Sequence, residues 1–258
     1  MPGFGAPRRV AAPAADGGPG RGDPLLGDAA ADAPPRARAT TSFEDDLLAL
    51  STLTARMGGR AEEVAALALG AIERRDAAAI AAAEAAARDL AALERRLAAH
   101  ATAVLALRSP VAADLRLLLA SLRVAASLER TGALARNLAS RAGALGGVGP
   151  EGPEAGVLRL GRRALGRLGE ALSAHQAGDA ARSLRLVRRD AELDELCASL
   201  MAALVRRMAE APERVDRGAE WLMAAKTFER WGDHAAGVAR ATHFMVTGQE
   251  IEGEAGDG

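Results

Sequence analysis

The 258-residue chain carries 33 basic and 34 acidic residues, a formal net charge of −1, and is 49% hydrophobic with 2% aromatics and no Tyr. A core that must be built from Ala and Leu suits closely spaced helices and argues against a large β-sandwich, whose strands are rich in β-branched and aromatic residues. The balanced charge leaves no basic face for general nucleic-acid binding, and no run of about 18 uncharged apolar residues offers a membrane span.

In chain order, residues 1–41 come first, with Pro2, Pro7, Pro13, Pro19, Pro24, Pro34 and Pro35 among Gly and Ala. They contain no apolar run like that of a signal peptide and too little apolar surface to offset ordering entropy, so the segment reads as disordered. At Ser42 the texture changes. Ser42 can cap a helix whose first turn contains Asp45, and further starts or stops fall at Asp76, Ser109-Pro110, Asp179 and Pro212. These marks predict helices over 44–74, 77–107 and 110–143, then 154–177, 180–210 and 213–246. The Gly/Pro-rich stretch 143–153 is the strong breaker between the two sets. Long helices with short connections pack as antiparallel neighbours. The expected architecture is therefore all-α, two tandem antiparallel three-helix bundles over 42–144 and 154–248, with a linker at 145–153 and a disordered tail at 249–258.

The two sets repeat one another. Asp76 matches Asp179 at an offset of 103, Pro110 matches Pro212 at 102, and Leu128-Glu129-Arg130-Thr131-Gly132 matches Phe228-Glu229-Arg230-Trp231-Gly232 at 100. In the last helix Leu222, Ala225, Glu229, Gly232 or Asp233, and Ala236 recur at helical steps, and in the helix before it Leu186, Asp190, Leu193 or Asp194, Cys197, Met201 and Leu204 do the same. Four carboxylates, Asp190, Asp194, Glu229 and Asp233, thus fall on the apolar seams of two adjacent helices. Buried carboxylates must be protonated or neutralised. They either pair with Arg188, Arg189 or Arg230 on a slightly rotated face, or form an oxygen cage for a cation such as iron, manganese, magnesium or calcium. By the same offsets the first half has Ala87, Ala91 and Ala133 and keeps only Glu129, so its site should bind little or nothing.

The remaining candidates are weaker. No His follows a Glu by three residues, so the signature of ferritin-like di-iron oxidases is missing. His234 points about 100° away from Asp233 around the helix and reads as a surface residue or one behind the ligands. The single Cys197 excludes an internal disulfide and reads as a small core residue of a reducing cytosol. Trp221 and Trp231 read as core or dimer contacts, and there is no phosphate-cradling glycine loop. Lys226 is the only lysine, a bias of the kind a GC-rich genome leaves.

These motifs resemble those of the PhoU family of phosphate-uptake regulators. The resemblance lies in Glu229-Arg230-Trp231-Gly232-Asp233-His234-Ala235, in Leu107-Arg108-Ser109-Pro110-Val111-Ala112-Ala113-Asp114-Leu115-Arg116, and in Arg56-Met57-Gly58-Gly59, which looks like the family's early turn region; it runs from about Ser42 to Gly248. It implies a tandem of three-helix bundles in a cytoplasmic, non-enzymatic adaptor, a homodimer that represses phosphate-starvation signalling. That adaptor would link the ATPase of a Pst-type ABC phosphate transporter to the sensor histidine kinase of the phosphate two-component system. It would bind no nucleic acid and reach the membrane only through its partners. It also implies metal ligands at Asp190, Asp194, Glu229 and Asp233, with Glu170 as an added oxygen where the first half has Leu67. The cofactor would be a metal ion or multinuclear metal cluster, iron first, with manganese, magnesium or zinc as alternatives. Two rival readings stand beside it: a metal-dependent enzyme of helical-bundle type, and a structural adaptor whose metal site is vestigial.

Overall fold

Ser42 starts the first helix by a reciprocal cap: its Oγ accepts from Asp45 N at 3.1 Å, and Asp45 Oδ2 accepts from Ser42 N at 3.0 Å. The computed structural model describes residues 42–146 and 152–251. The readings of disorder at 1–41 and over most of the tail lie outside the described residues. Helix α1 runs Phe43–Arg74, α2 Ala77–Arg108, α3 Ala112–Ser140 and α4 Ala142–Leu145; the second half holds α5 Pro153–Ala177, α6 Ala180–Arg188, α7 Ala191–Glu210, a 3₁₀ turn Pro212–Arg214, and α8 Val215–Thr247. Among the described residues every element is helical, and no helix is long and apolar enough to cross a membrane.

The expected punctuation positions act as caps. Asp76 Oδ1 accepts from Ala78 N at 2.9 Å and Asp179 Oδ1 from Arg182 N at 2.8 Å. At the α2–α3 connection the third helix begins at Ala112 rather than 110, because Ser109 and Ala112 both take positive φ around Pro110 to turn the chain. After α3, the single turn of α4 seats Leu145 in the core, and its carbonyl accepts from Arg217 Nε at 2.8 Å and Trp221 Nε1 at 3.0 Å. Both tryptophans are core residues, with Trp231 edge-on to Phe228 at 5.1 Å.

Two departures from the expected elements bear on the site. The stretch Arg56-Met57-Gly58-Gly59 is no turn: it lies inside α1, where Gly58 lets α5 approach. The helix expected over 180–210 is broken at Arg189 and Asp190 into α6 and α7. By the offset of 103 these two match Ala86 and Ala87, which are buried in an unbroken α2. Alanines can stay on a core seam, whereas an Arg–Asp pair cannot, so the second half opens where the first continues.

Helix α1 packs on α5 and α3 on α8, joining the halves. The α1–α5 contact is reciprocal: a Cβ on Gly58 would meet Leu172 at 2.9 Å, and one on Gly161 would meet Leu69 at 2.8 Å. Gly58 matches Gly161 and Leu69 matches Leu172 at the repeat offset, so a pseudo-two-fold axis passes between α1 and α5, which run antiparallel. The tandem bundles share their interior. One cluster gathers Leu69, Ile72, Leu160, Trp221 and Phe228, the other Met57, Leu97, Leu128, Leu168 and Val238, and each draws on both halves.

Candidate functional site

The second half brings α7 and α8 together at a glycine. A Cβ on Gly232 would lie 2.7 Å from Leu193 Cδ2, as one on Gly132 would lie 2.4 Å from Leu90 Cδ2 in the first half. Leu90 and Leu193 differ by 103 residues, so the offset read from sequence is also the offset of the packing. Leu193 and Gly232 occupy the seam, and the acids flank it. Asp190 sits at the α6–α7 break, Asp194 in the first turn of α7, Glu229 and Asp233 on α8. The expectation that all four lie on buried seams is corrected here: Asp190, Asp194 and Glu229 are half-buried and Asp233 is exposed. The site lies on the rim of the α7–α8 contact, because the small side of the seam is used up by the Leu193–Gly232 approach.

The carboxylates are near enough to disturb one another. Burial, set against the Arg167 guanidinium beside it and reinforced by Asp194 and Asp233, pushes the Asp190 carboxyl up to about 6. Burial and then the Glu229 charge raise Asp194; burial, Asp194 and Glu229 raise Asp233. Arg167, Lys226 and Arg240 act against this excess of negative charge, and the first two make direct contact with an acid. Arg167 on α5 donates to Asp190 Oδ1 at 3.2 Å, to the Asp190 carbonyl at 3.4 Å and to the Arg189 carbonyl, a second donor to carbonyls that also accept from Leu193 N and Glu192 N. Lys226 Nζ forms an ion pair with Glu229 Oε2, three residues along α8. Neither is among the arginines expected as surface partners: Arg189 pairs instead with Glu192 at 3.3 Å.

Glu170 stands apart, on α5, paired with Arg182 at 3.5 Å. His234 is half-buried; burial and the charges of Arg130 and Arg230 hold its ring below the usual histidine range. Cys197 is fully buried near Ala225 O, and burial pushes its thiol up to about 11.

Among the described residues no three Asp, Glu, His or Cys side chains converge in a geometry that would hold a metal ion. The donor set is of the kind a hard cation prefers, though as placed it forms no such group. It is all oxygen, Asp194 Oδ1 is buried with no hydrogen-bond partner, and the carboxylates outnumber the cations facing them. Asp194, Glu229 and Asp233 are the three that act most directly on one another, while Asp190 and Glu170 are tied to arginines. In the first half, Ala91 and Ala126 replace Asp194 and Lys226, and the space becomes a pocket of about 250 Å3 rimmed by Glu94, Arg95, Glu129 and Arg130.

Arg167 and Lys226 were the residues sequence reasoning missed. Arg167 replaces Val64 at the repeat offset, an apolar-to-charged change that accompanies Ala87 to Asp190, and Lys226 precedes Glu229 by one helical turn.

The PhoU domain model matches residues 54–142 and again 157–242. The chain belongs to the PhoU family. The two matches coincide with the two halves of the repeat. A Caulobacter vibrioides protein named phosphate-specific transport system accessory protein PhoU homolog is 34% identical over 211 residues, 81% of this chain and 92% of its own length. A Rhizobium meliloti protein of the same name is 33% identical over 215 residues, 83% of this chain and 91% of its own. Among solved structures, PhoU from Pseudomonas aeruginosa superposes with a TM-score of 0.76 at 28% identity, covering 81% of this chain and all of that one. The regulatory protein PhoU from Streptococcus pneumoniae gives 0.74 at 20% identity, over 82% of this chain and all of its own, a likeness of fold. The PhoU fold thus accounts for the tandem helical bundles, and the stretch 107–116 is its α2–α3 connection, where Arg108 pairs with Asp46 at 3.1 Å.

Proposed function

We propose that this chain is an accessory regulator of phosphate uptake that works by binding rather than by chemistry. In this reading it contacts the ATPase of a Pst-type ABC phosphate transporter and a sensor histidine kinase, and represses phosphate-starvation signalling when phosphate is plentiful. The observation that carries it is the near full-length similarity to proteins named as accessory to phosphate-specific transport. The transporter's state would alter its affinity for the adaptor and so the kinase output.

The rim of carboxylates gives this adaptor a cation site formed by Asp194, Glu229 and Asp233, with Asp190 and Glu170 joining only by leaving Arg167 and Arg182. A cation bound there would neutralise the acids and brace α7 against α8. The unpartnered Asp194 Oδ1 supports this assignment. The non-enzymatic reading is supported by His234, the candidate acid–base group of this helix, whose ring is perturbed by Arg130 and Arg230 and by none of the carboxylates.

Deleting the gene is expected to release alkaline phosphatase and phosphate uptake from repression in high phosphate. Cells that keep both fully repressed would contradict the role. Pulldown of the tagged chain from low- and high-phosphate cells, with metals measured on the same sample, tests the partners and the cation together.

A further inference from the structure

We propose that the cleft where the end of α7 and the 3₁₀ turn meet the start of α5 binds a phosphate ester with a hydroxylated body, a sugar phosphate or a nucleotide. The inference goes beyond the regulatory reading and does not depend on the carboxylate rim. The cleft has a volume of about 510 Å3, within the usual range for sites of small organic ligands. Its apolar lining is Pro153, Ala203 and Ala211; the rest is Arg206, Arg207, Arg214 and a single acid, Glu210.

Three arginines on one cleft repel one another, and the neighbouring acids do not cancel them. Arg207 donates to Glu154 Oε2 at 3.3 Å, and that glutamate side chain is only 19% exposed, so this arginine is anchored. Arg214 has only its chain neighbour Glu213, at 4.0 Å between two exposed side chains, a pair worth little. Arg206 is exposed and makes no ion pair among the described residues. Two guanidinium forks are thus open, and such forks take the oxygens of a phosphate in pairs. Glu210, which also makes no ion pair among the described residues, repels an oxyanion but accepts hydrogen bonds, so it suits a hydroxyl on the body of the ligand. Helix α5 begins at Pro153 with no side-chain cap, and its positive end adds to the field of the arginines.

The repeat supplies an internal comparison. Arg206 and Arg207 match Ala103 and Val104 at the offset of 103, Glu210 matches Leu107, and Arg214 matches Ala112 at the offset of 102 set by Pro110 and Pro212. Every charged position of the cleft is therefore apolar in the first half. Cations near the end of α7 suit the negative end of that helix whatever they bind. That reason covers Arg206 and Arg207 but leaves out Arg214, which comes from the 3₁₀ turn. What the three share is the cleft.

The test titrates glucose 6-phosphate, AMP and inorganic phosphate into the full chain by calorimetry at fixed ionic strength. Wild type is compared with the double variant Arg206→Ala, Arg214→Ala and with Arg88→Ala, Arg96→Ala, which removes the same charge from exposed positions of α2. Wild type is expected to bind at least one of the two esters about tenfold tighter than inorganic phosphate, and the cleft variant to lose about tenfold or more of that affinity. Binding of glucose 6-phosphate alone assigns a sugar phosphate, and binding of AMP alone a nucleotide. The α2 variant is expected to bind like wild type, and both variants to keep the wild-type melting temperature, because all four side chains are exposed. Inorganic phosphate held as tightly as the esters would overturn the part played by the body of the ligand. Equal losses in the two variants would overturn the cleft in favour of general attraction by a basic surface, and binding of neither ester would overturn the site outright.

Discussion

Asp190, Asp194 and Asp233 share one rim and all hold their protons more tightly than free aspartates do, first because their carboxyls are partly desolvated and then because neighbouring acids, Glu229 among them, repel their charge. For an acid whose folded pKa is raised, the folded chain binds protons that the unfolded chain has released, so stability falls as pH rises through that interval. The interval for Asp190 runs from its ordinary 3.8 to about 6. Metal-free protein is therefore expected to resist urea better at about pH 5.5 than at about pH 7.5, by about 0.5–1 kcal/mol, since only the upper end of that interval falls between the two. A cation added at the higher pH should restore most of the difference. A midpoint that does not rise on acidification would show that Arg167 and Lys226 already neutralise the rim completely. The four acids were legible in sequence because they interrupt a background of Ala and Leu at helical steps. Arg167 was not, since one arginine among so many carries no local signal and its partner lies 23 residues away.

At the scale of the element, the α6–α7 break shows where propensity stops informing. Residues 180–210 contain no Gly or Pro, and their Ala, Leu and Arg are good helix formers, so periodicity gives one helix. What breaks it is tertiary: the position that holds buried Ala86 and Ala87 in α2 holds Arg189 and Asp190 here, and Arg167 stands where Val64 fills the first half's core. Arg167→Ala should leave the Asp190 carboxyl without its partner, while the Arg189 and Asp190 carbonyls keep the N–H groups of Glu192 and Leu193, costing about 2 kcal/mol in urea denaturation. Restoring the first half's set with Arg167→Val, Arg189→Ala and Asp190→Ala should instead heal the helix. Amide exchange over 188–192 would slow in the triple variant, with no loss of stability. If those amides exchange as fast as in wild type, the charged residues are not the cause of the break.

At the scale of the whole molecule, the repeat was legible from paired motifs but the way its copies join was not, because offsets relate equivalent residues and say nothing of which faces meet. The faces are set by Gly58 against Leu172 and Gly161 against Leu69, a reciprocal pair visible only in space. This junction ties the halves into shared cores, so neither should be stable without the other: residues 42–146 alone would expose Leu69, Ile72, Met57 and Leu97, all buried in clusters completed by the second half. The junction can be tested inside the intact chain as well. A side chain at Gly161 would meet Phe228 at 2.7 Å and Leu69 at 2.8 Å, whereas one at the exposed Gly59 meets nothing within 4 Å. Gly161→Val is therefore expected to cost about 1–3 kcal/mol by overpacking, and Gly59→Ala to stabilise by about 0.5–1 kcal/mol through helix propensity alone. Both variants should unfold in one transition that circular dichroism and tryptophan fluorescence report at the same midpoint, since Trp221 and Trp231 lie in a core that both halves build. A Gly161→Val protein that melts in two steps, with the tryptophan signal lost first, would mean that the halves are separate folding units that merely touch.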